Sequence, residues 1–361
     1  MLMAALVATA VSLILPPLQA NRRAAIVGVA ALSSGCSWPG AVEAFAPADK
    51  VATSWALPGG VVMPTLALNT AGLDAEGSER ALIEAYTAGF RHVDFHPGIE
   101  RDGVARALAS MPAADRSRLF LTTKIRKPPV GTTPDAAYAL VGSQLAEDLG
   151  VLGVERIDLL MLRDSPDCAV MQAQWQAMEA ALAAGRTRSV GVINYCEASL
   201  RCILASAKTL PALNYIMQHV GMGVDALGLR AFGESRGLRT FAYGAVGEPG
   251  PSIEILTNPS LRRIGRARGR ETEEVALRWA LQNGCAVSVR PTTDFGLGRS
   301  TCLAGAACRA GLQQRAKAFE WSLTAAEMAE LDALRSPPGN PTLFSSTFCP
   351  DSFFAQQQAK H

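Results

Sequence analysis

The strongest constraint on the fold is an alternation along the chain, in which short apolar, β-rich runs are separated by stretches with helical periodicity. Eight of the runs have the composition of buried strands. The predicted strands are 63–68, 92–96, 119–125, 157–162, 189–194, 213–218, 240–243 and 286–290. The predicted helices are 78–88, 103–111, 134–149, 169–184, 197–207, 224–235, 271–283 and 325–334. This order predicts an α/β protein with a closed (β/α)8 TIM barrel.

Local signals around these elements agree with a barrel. Gly89, Gly150, Gly185 and Gly284 follow predicted helices, where a glycine can supply a left-handed C-cap. Residues 55–62 contain a Pro-Gly-Gly turn and predict a β-hairpin ahead of the first barrel strand. An open, doubly wound sheet is the alternative, but it would need a Gly-x-Gly-x-x-Gly loop after its first strand, and the chain has none there.

Composition excludes several classes of function. The formal net charge is only +2 and the basic residues are scattered among acidic ones, which argues against a nucleic-acid surface. The eight cysteines form no Cys-x-x-Cys pair. We therefore expect neither a disulfide framework nor a metal site, although Cys302 and Cys308 could pair within a Gly/Ala-rich insertion at 294–311.

The first fifty residues differ from the rest of the chain. Two apolar runs flank Arg22-Arg23, and both are too short for a confident membrane span. We predict a removable targeting presequence over residues 1–50, and no membrane contact for the mature form. The step Ala44-Phe45-Ala46-Pro47 resembles the junction of presequences that direct import into complex plastids, whereas the twin arginine could instead indicate secretion or export. The barrel is expected at 51–336, with a C-terminal tail at 337–361.

Two charged side chains end neighbouring predicted strands, Asp94 after Gly89-Phe-Arg-His-Val and Lys124 after Leu121-Thr-Thr. A buried carboxylate and a buried ammonium are costly unless they meet. We expect them to converge at the C-terminal mouth of the barrel, where enzymes of this fold carry out their chemistry.

These strings resemble the aldo-keto reductases, and further matches fall in the same order along the chain. They are Met63-Pro-Thr-Leu-Ala-Leu68, Ile157-Asp-Leu-Leu-Met-Leu162, Gly191-Val-Ile-Asn194-Tyr195 and Phe241-Ala-Tyr243. The resemblance covers about residues 55 to 335. It implies a hairpin that closes the bottom of the barrel, an NADP (NADPH) cofactor and a small-molecule carbonyl substrate. We also expect a monomer.

The resemblance also implies four catalytic groups, of which this chain matches two. Asp94 and Lys124 match the family Asp and Lys, but no Tyr lies in the loop at 95–100, and Arg163 stands where the family has a His. His96 could replace the missing acid if the second strand runs on to it, because side chains two apart on a strand share a face. Otherwise His96 only fills the strand end. Arg163 could stabilise an alkoxide or hold an acidic substrate, or it could pair with Asp164 or Asp167.

The residues that the resemblance assigns to cofactor binding are better matched in this chain than the catalytic residues. Asn194 matches the residue that holds the nicotinamide amide, although Ile193 replaces the Ser before it and Tyr215 replaces a Gln on the sixth strand. Tyr243 matches the aromatic residue on which the nicotinamide stacks, or else it belongs to the core. Arg290 matches a basic residue for the adenosine 2′-phosphate, and Arg315 is the nearest candidate for a second arginine near the adenine.

Two functions follow from this mixture. The first is an NAD(P)H-dependent oxidoreductase that reduces aldehydes or ketones with an altered proton donor. The second is a catalytically inactive nucleotide-binding barrel that acts as a sensor or scaffold. Fold alone does not choose between them. The four Phe of the segment 340–354 would suit an apolar cover over the barrel mouth or packing against its side.

Overall fold

The computed structural model describes residues 51–225, 228–246, 252–291 and 305–335. The predicted presequence at 1–50, most of the insertion with Cys302, and the Phe-rich tail lie outside the described residues. The expected targeting of the chain and the expected cover over the mouth therefore stay predictions.

Eight parallel strands close into a barrel, as the alternation of runs predicted. In chain order they are β3 (Leu66–Asn69), β4 (His92–Asp94), β5 (Phe120–Ile125), β6 (Ile157–Arg163), β7 (Thr187–Ile193), β8 (Leu213–Met217), β9 (Arg239–Tyr243) and β10 (Ala286–Val289). β10 pairs with both β9 and β3, which closes the ring. The carboxyl ends of all eight strands therefore meet at one mouth.

A two-stranded hairpin precedes the barrel, as predicted. Its strands are β1 (Ser54–Leu57) and β2 (Val61–Pro64), joined by the turn Pro58–Gly60, where Gly59 and Gly60 both have positive φ. Trp55 and Val61 from the hairpin pack with Phe120 at the start of β5. The hairpin thus closes the amino-terminal end of the barrel, opposite the mouth.

Helices surround the barrel and mostly follow the predicted positions. They are α1 (Ala75–Thr87), α2 (Ile99–Ser110), α3 (Ala113–Arg116), α4 (Pro134–Leu152), α5 (Cys168–Ala183), α6 (Glu197–Leu204), α7 (Leu229–Glu234), α8 (Ser252–Leu256), α9 (Pro259–Arg268), α10 (Thr272–Gln282), α11 (Ala306–Ala316) and α12 (Ala325–Asp332). α3, α8, α9 and α11 were not predicted. α11 occupies part of what the sequence indicated as an insertion.

Three boundaries were predicted wrongly. Met63 and Pro64 belong to the hairpin, so the first barrel strand begins at Leu66. The second barrel strand ends at Asp94 and does not run on to His96, because a tight turn at Pro97-Gly98 leads directly into α2. Helix α4 continues past Gly150 and is capped by Gly153, which has the left-handed conformation.

No disulfide framework was expected, but a disulfide joins two helices of the barrel. Cys168 at the start of α5 is bonded to Cys202 on α6. The two helices are neighbours around the barrel, whereas the two cysteines are 34 residues apart in sequence, so no local spacing signals the bond. Cys308 is disulfide-bonded as well, and its predicted partner Cys302 is outside the described part of the chain.

Two features are absent from the described ranges. No helix there has both the length and the apolar composition that a membrane span requires. Nor do three or more His, Cys, Asp or Glu side chains gather there in a way that would hold a metal ion.

Candidate active site

Asp94 and Lys124 form an ion pair at the mouth of the barrel. Both side chains are fully buried, and the Lys124 ammonium contacts the Asp94 carboxylate and donates to the Phe95 carbonyl oxygen at 3.2 Å. Burial lowers the pKa of Lys124, and the negative charge of Asp94 opposes this shift. The structure thus brings together the two groups that the strand ends predicted, at the end of the barrel away from the hairpin.

Tyr215 joins this pair from the other side of the barrel. Its hydroxyl donates to Asp94 Oδ2 at 2.7 Å, lies 2.5 Å from Ser288 Oγ and accepts from Asn69 Nδ2 at 3.1 Å. Burial first, and then the Asp94 charge, raise the pKa of the Tyr215 phenol well above 10. The sequence predicted a cofactor contact for Tyr215 and missed this network, whose members come from β3, β4, β8 and β10.

His96 lies in the loop after β4, and a carboxylate fixes its imidazole. Glu100 Oε2 accepts from His96 Nδ1, from the His96 backbone N–H and from the Thr70 hydroxyl, each at 3.0 Å. Glu100 Oε1 accepts from the Gly72 N–H at 2.9 Å. Because Glu100 can only accept, Nδ1 carries the proton, and within the described residues Nε2 makes no hydrogen bond. Glu100 lies four residues after His96 in the sequence. The contact was not predicted because the predicted strand ran on to His96.

The pKa values of this dyad move in the same direction. Burial alone would raise the pKa of Glu100, but the hydrogen bonds from His96 and Gly72 lower it to about 2. Burial and the nearby Lys124 charge lower the pKa of His96, whereas Glu100 acts to raise it. Glu100 is therefore ionised at neutral pH and stabilises the protonated form of His96.

Arg163 ends β6 beside the same opening. The predicted pairing with Asp164 or Asp167 was wrong, because each carboxylate has another partner. Asp164 pairs with Lys127 at 2.9 Å, and Asp167 caps the amino end of α5. Within the described ranges, no carboxylate pairs with the Arg163 guanidinium.

One cleft of about 210 Å³ connects these groups. It brings together seven of the side chains that the sequence singled out: His96, Arg163, Asn194, Tyr215, Tyr243, Arg290 and Arg315. Asp94 and Lys124 adjoin it through the Tyr215 hydroxyl. The cleft thus runs from the ends of β4 and β6 to the ends of β9 and β10.

The middle of the cleft is formed by Asn194 and Tyr243. Asn194 has a φ of 59°, a left-handed backbone conformation that is uncommon for a residue other than glycine. Its Oδ1 accepts from the Tyr243 hydroxyl at 2.9 Å. In the described part of the chain its Nδ2 amide has no partner, so it can donate into the cleft. Burial is the main reason that the pKa of Tyr243 is raised to about 12.

The two arginines at the far end differ in environment. Arg290 follows β10, is half-buried, and forms no ion pair with any described carboxylate. Arg315 lies on α11, is almost fully buried, and donates from Nε to Glu273 Oε1 at 2.6 Å. Arg290 therefore adds net positive charge to the cleft, whereas much of the Arg315 charge is balanced.

Comparison with known proteins agrees with this geometry. Residues 61–336 match the sequence profile of the Aldo/keto reductase family. The chain belongs to this family. It is 28% identical over 288 residues to morphine 6-dehydrogenase of Pseudomonas putida, which covers 76% of this chain and 88% of the relative.

Two further comparisons give the same result. NADPH-dependent codeinone reductase 1-4 of Papaver somniferum is 26% identical over 305 residues, covering 77% of this chain and 88% of the relative. The crystal structure of MGS-M4, an aldo-keto reductase enzyme from a Medee basin deep-sea metagenome library, superposes with a TM-score of 0.67 at 19% identity. That match covers 81% of this chain and 98% of the other, and it supports the fold.

The cleft of this family member fits a nicotinamide dinucleotide in most respects. Arg290, which no described carboxylate pairs with, offers a guanidinium for a phosphate, Asn194 offers an amide donor, and Tyr243 offers a half-buried ring. Two lining residues depart from the family pattern, since Ile193 offers no hydroxyl and the Tyr215 hydroxyl is engaged with Asp94. The nicotinamide amide would therefore have fewer partners here than the family resemblance implies.

Proposed function

We propose that this chain is an NADPH-dependent reductase of aldehydes or ketones in which His96 replaces the missing tyrosine as proton donor. One observation carries the proposal, namely that a single cleft joins the His96–Glu100 dyad to the Asn194, Tyr243 and Arg290 side chains. A relative of the chain is named as NADPH-dependent, which supports the choice of cofactor.

The chain must supply a proton and a place for negative charge. The bound cofactor would supply a hydride to the carbonyl carbon. Glu100 holds His96 Nδ1 and leaves Nε2 to donate its proton to the carbonyl oxygen, after which the neutral imidazole regains a proton from water. The positive charge of Lys124 favours the oxygen as it becomes negative.

A barrel that binds a nucleotide without turnover is the second candidate, and the state of Tyr215 favours it. This phenol lies close to the Asp94–Lys124 pair, but its pKa is raised, so it is a poor proton donor. If His96 does not act, nothing in the loop at 95–100 replaces it.

Titration with NADPH, followed by turnover of an aldehyde panel, tests the proposal. We expect saturable NADPH binding that Tyr243→Ala weakens, because the ring face is lost. Arg290→Glu should weaken NADPH more than NADH, because only NADPH carries the 2′-phosphate. Arg262→Gln, an exposed arginine on α9, is the matched control and should bind like the wild type. Absence of binding at millimolar NADPH would refute the reductase, and NADPH binding without any turnover would leave only the second function.

A further inference from the structure

We propose that the carbonyl substrate also carries a carboxylate, and that the Arg163 guanidinium binds it. This inference rests on the proposed reductase function and adds the substrate class to it. It follows from the charge balance of the site, the position of Arg163 and the chemistry of its side chain.

The charge balance of the cleft leaves Arg163 available to bind an anion. Among the described residues, the acidic side chains around the cleft have cationic or donor partners within 3.0 Å. The pairs are Asp94 with Lys124, Glu100 with His96, Asp164 with Lys127, and Glu273 with Arg315. In the described part of the chain, Arg163 and Arg290 line the cleft without such a partner. Arg290 lies at the far end, where it suits the cofactor phosphate, so Arg163 remains for another anion.

The position of Arg163 places that anion beside the reacting carbonyl. Arg163 ends β6, which pairs directly with β5, the strand that carries Lys124. Its charge adds to burial in lowering the pKa of Lys124, and it also counteracts the rise in the pKa of Tyr243. Arg163 also lines the cleft together with His96 and Tyr243, so its guanidinium acts on the cleft interior.

The side chain itself favours a carboxylate. A guanidinium presents a planar fork of donors that matches the two oxygens of a carboxylate. Arg163 is half-buried, so part of its hydration is lost, and an anion of one charge would replace it. A phosphate dianion would call for a second cation at this end. We therefore infer an oxo acid, with the carbonyl towards His96 and the carboxylate towards Arg163.

A matched substrate pair tests the inference. 4-Oxobutanoate and its methyl ester have the same aldehyde but differ in charge. With NADPH, we expect wild type to favour the acid by kcat/KM. Arg163→Gln should lower kcat/KM for the acid on the order of tenfold to a hundredfold, mainly through KM, because charge-assisted hydrogen bonds are lost. The ester should change little, and Arg163→Lys, which keeps the charge but not the fork, should fall between.

A second measurement separates this inference from the proposed function. Calorimetry with succinate, which has two carboxylates and no carbonyl to reduce, reports anion binding without turnover. Binding that is lost in Arg163→Gln and kept in Arg262→Gln supports the anion site even if no aldehyde is reduced. Equal rates for acid and ester in wild type, with succinate bound equally by wild type and Arg163→Gln or by neither, would overturn the inference and leave the reductase proposal standing. A preference for a phosphorylated aldehyde over 4-oxobutanoate would also overturn it.

Discussion

The Asp94–Lys124 pair has a role in stability that does not depend on any role in catalysis. Both side chains are fully buried, and Tyr215 adds a hydrogen bond to the free carboxylate oxygen. Removal of either partner would leave a buried charge, at a cost of about 3–5 kcal/mol. The pair is therefore required for stability whether or not the protein turns over substrate. Substitution of half-exposed cleft residues, such as His96 and Arg163, separates a role in catalysis from a role in stability, because it should change activity with little effect on folding.

The His96–Glu100 dyad predicts a particular pH profile. If His96 donates the proton, the rate of carbonyl reduction should rise as pH falls through the pKa of the imidazole, which burial places below 6.5. His96→Gln should lower the rate by a factor on the order of a hundred or more and abolish that limb. Glu100→Gln should move the limb to lower pH, because the carboxylate no longer stabilises the imidazolium.

An NMR titration of the His96 ring in the same variants is the control that does not require turnover. If Glu100→Gln lowers the imidazole pKa but leaves the rate profile in place, His96 is not the donor.

Individual residues also show which contacts of the site could not be predicted from the sequence. The Asp and Lys could be found because each ends a recognisable strand. The Tyr215–Asp94 contact could not, because it joins residues 121 apart across the barrel interior. Glu100 was within reach, four residues from His96, but the prediction extended the strand through the turn that brings the two together.

At the scale of secondary-structure elements, close packing of helix α1 against helix α2 positions the His96–Glu100 dyad. Gly103 on α2 lies directly over the first turn of α1, where an added Cβ would clash with the Ala75 carbonyl oxygen and would lie 2.6 Å from Ser78 Cβ. No larger side chain fits there unless a helix backbone moves. Since α2 also carries Glu100 in its first turn, this contact fixes the helix that holds His96.

A pair of glycine substitutions tests this packing. Gly103→Ala should reduce the free energy of unfolding by about 1–3 kcal/mol, because the added methyl group overpacks the interface. Gly142→Ala is the matched control on α4, where an added Cβ meets nothing within 4 Å. It should raise stability by about 0.5–1 kcal/mol through helix propensity alone. Urea unfolding measures both, and equal effects of the two changes would contradict the packing argument.

The elements that sequence missed share one property. α3, α8 and α9 each lie between the same two barrel strands as a predicted helix, and α11 lies between β10 and the predicted helix α12. The alternation of strand and helix, on which the prediction relied, has no place for a second helix between strands. Arg315 was placed near the adenine by resemblance alone, and the unpredicted α11 is what brings it to the cleft.

At the scale of the whole molecule, the barrel interior contains a buried histidine that is held neutral. His92 Nδ1 lies 2.9 Å from the Pro64 carbonyl oxygen, which can only accept, so Nδ1 carries the proton. Nε2 then accepts from the Thr122 hydroxyl at 2.7 Å. Burial lowers the pKa of His92 to about 4, despite the opposing hydrogen bond to Pro64. This residue links the hairpin to the barrel and ties the stability of both to pH.

The sign of that dependence follows from the lowered pKa. Between pH 6.5 and 4 the unfolded chain binds a proton at His92 that the folded chain does not, so stability falls as pH falls. From pH 7.5 to 5.0 the loss at this one site should be about 2 kcal/mol. His96, whose pKa is also lowered, adds to the loss, and Glu100, with a pKa of about 2, contributes only below about pH 4.5.

Urea unfolding at pH 7.5 and 5.0 measures this dependence, with His92→Gln as the variant that cannot titrate and His96→Gln as the control for the second imidazole. We expect His92→Gln to be less stable than wild type at pH 7.5 but to lose less on acidification, because its amide is neutral at both values. The same loss in wild type and His92→Gln would mean that the imidazole is not held neutral within the barrel. The hairpin contact would then carry no pH dependence.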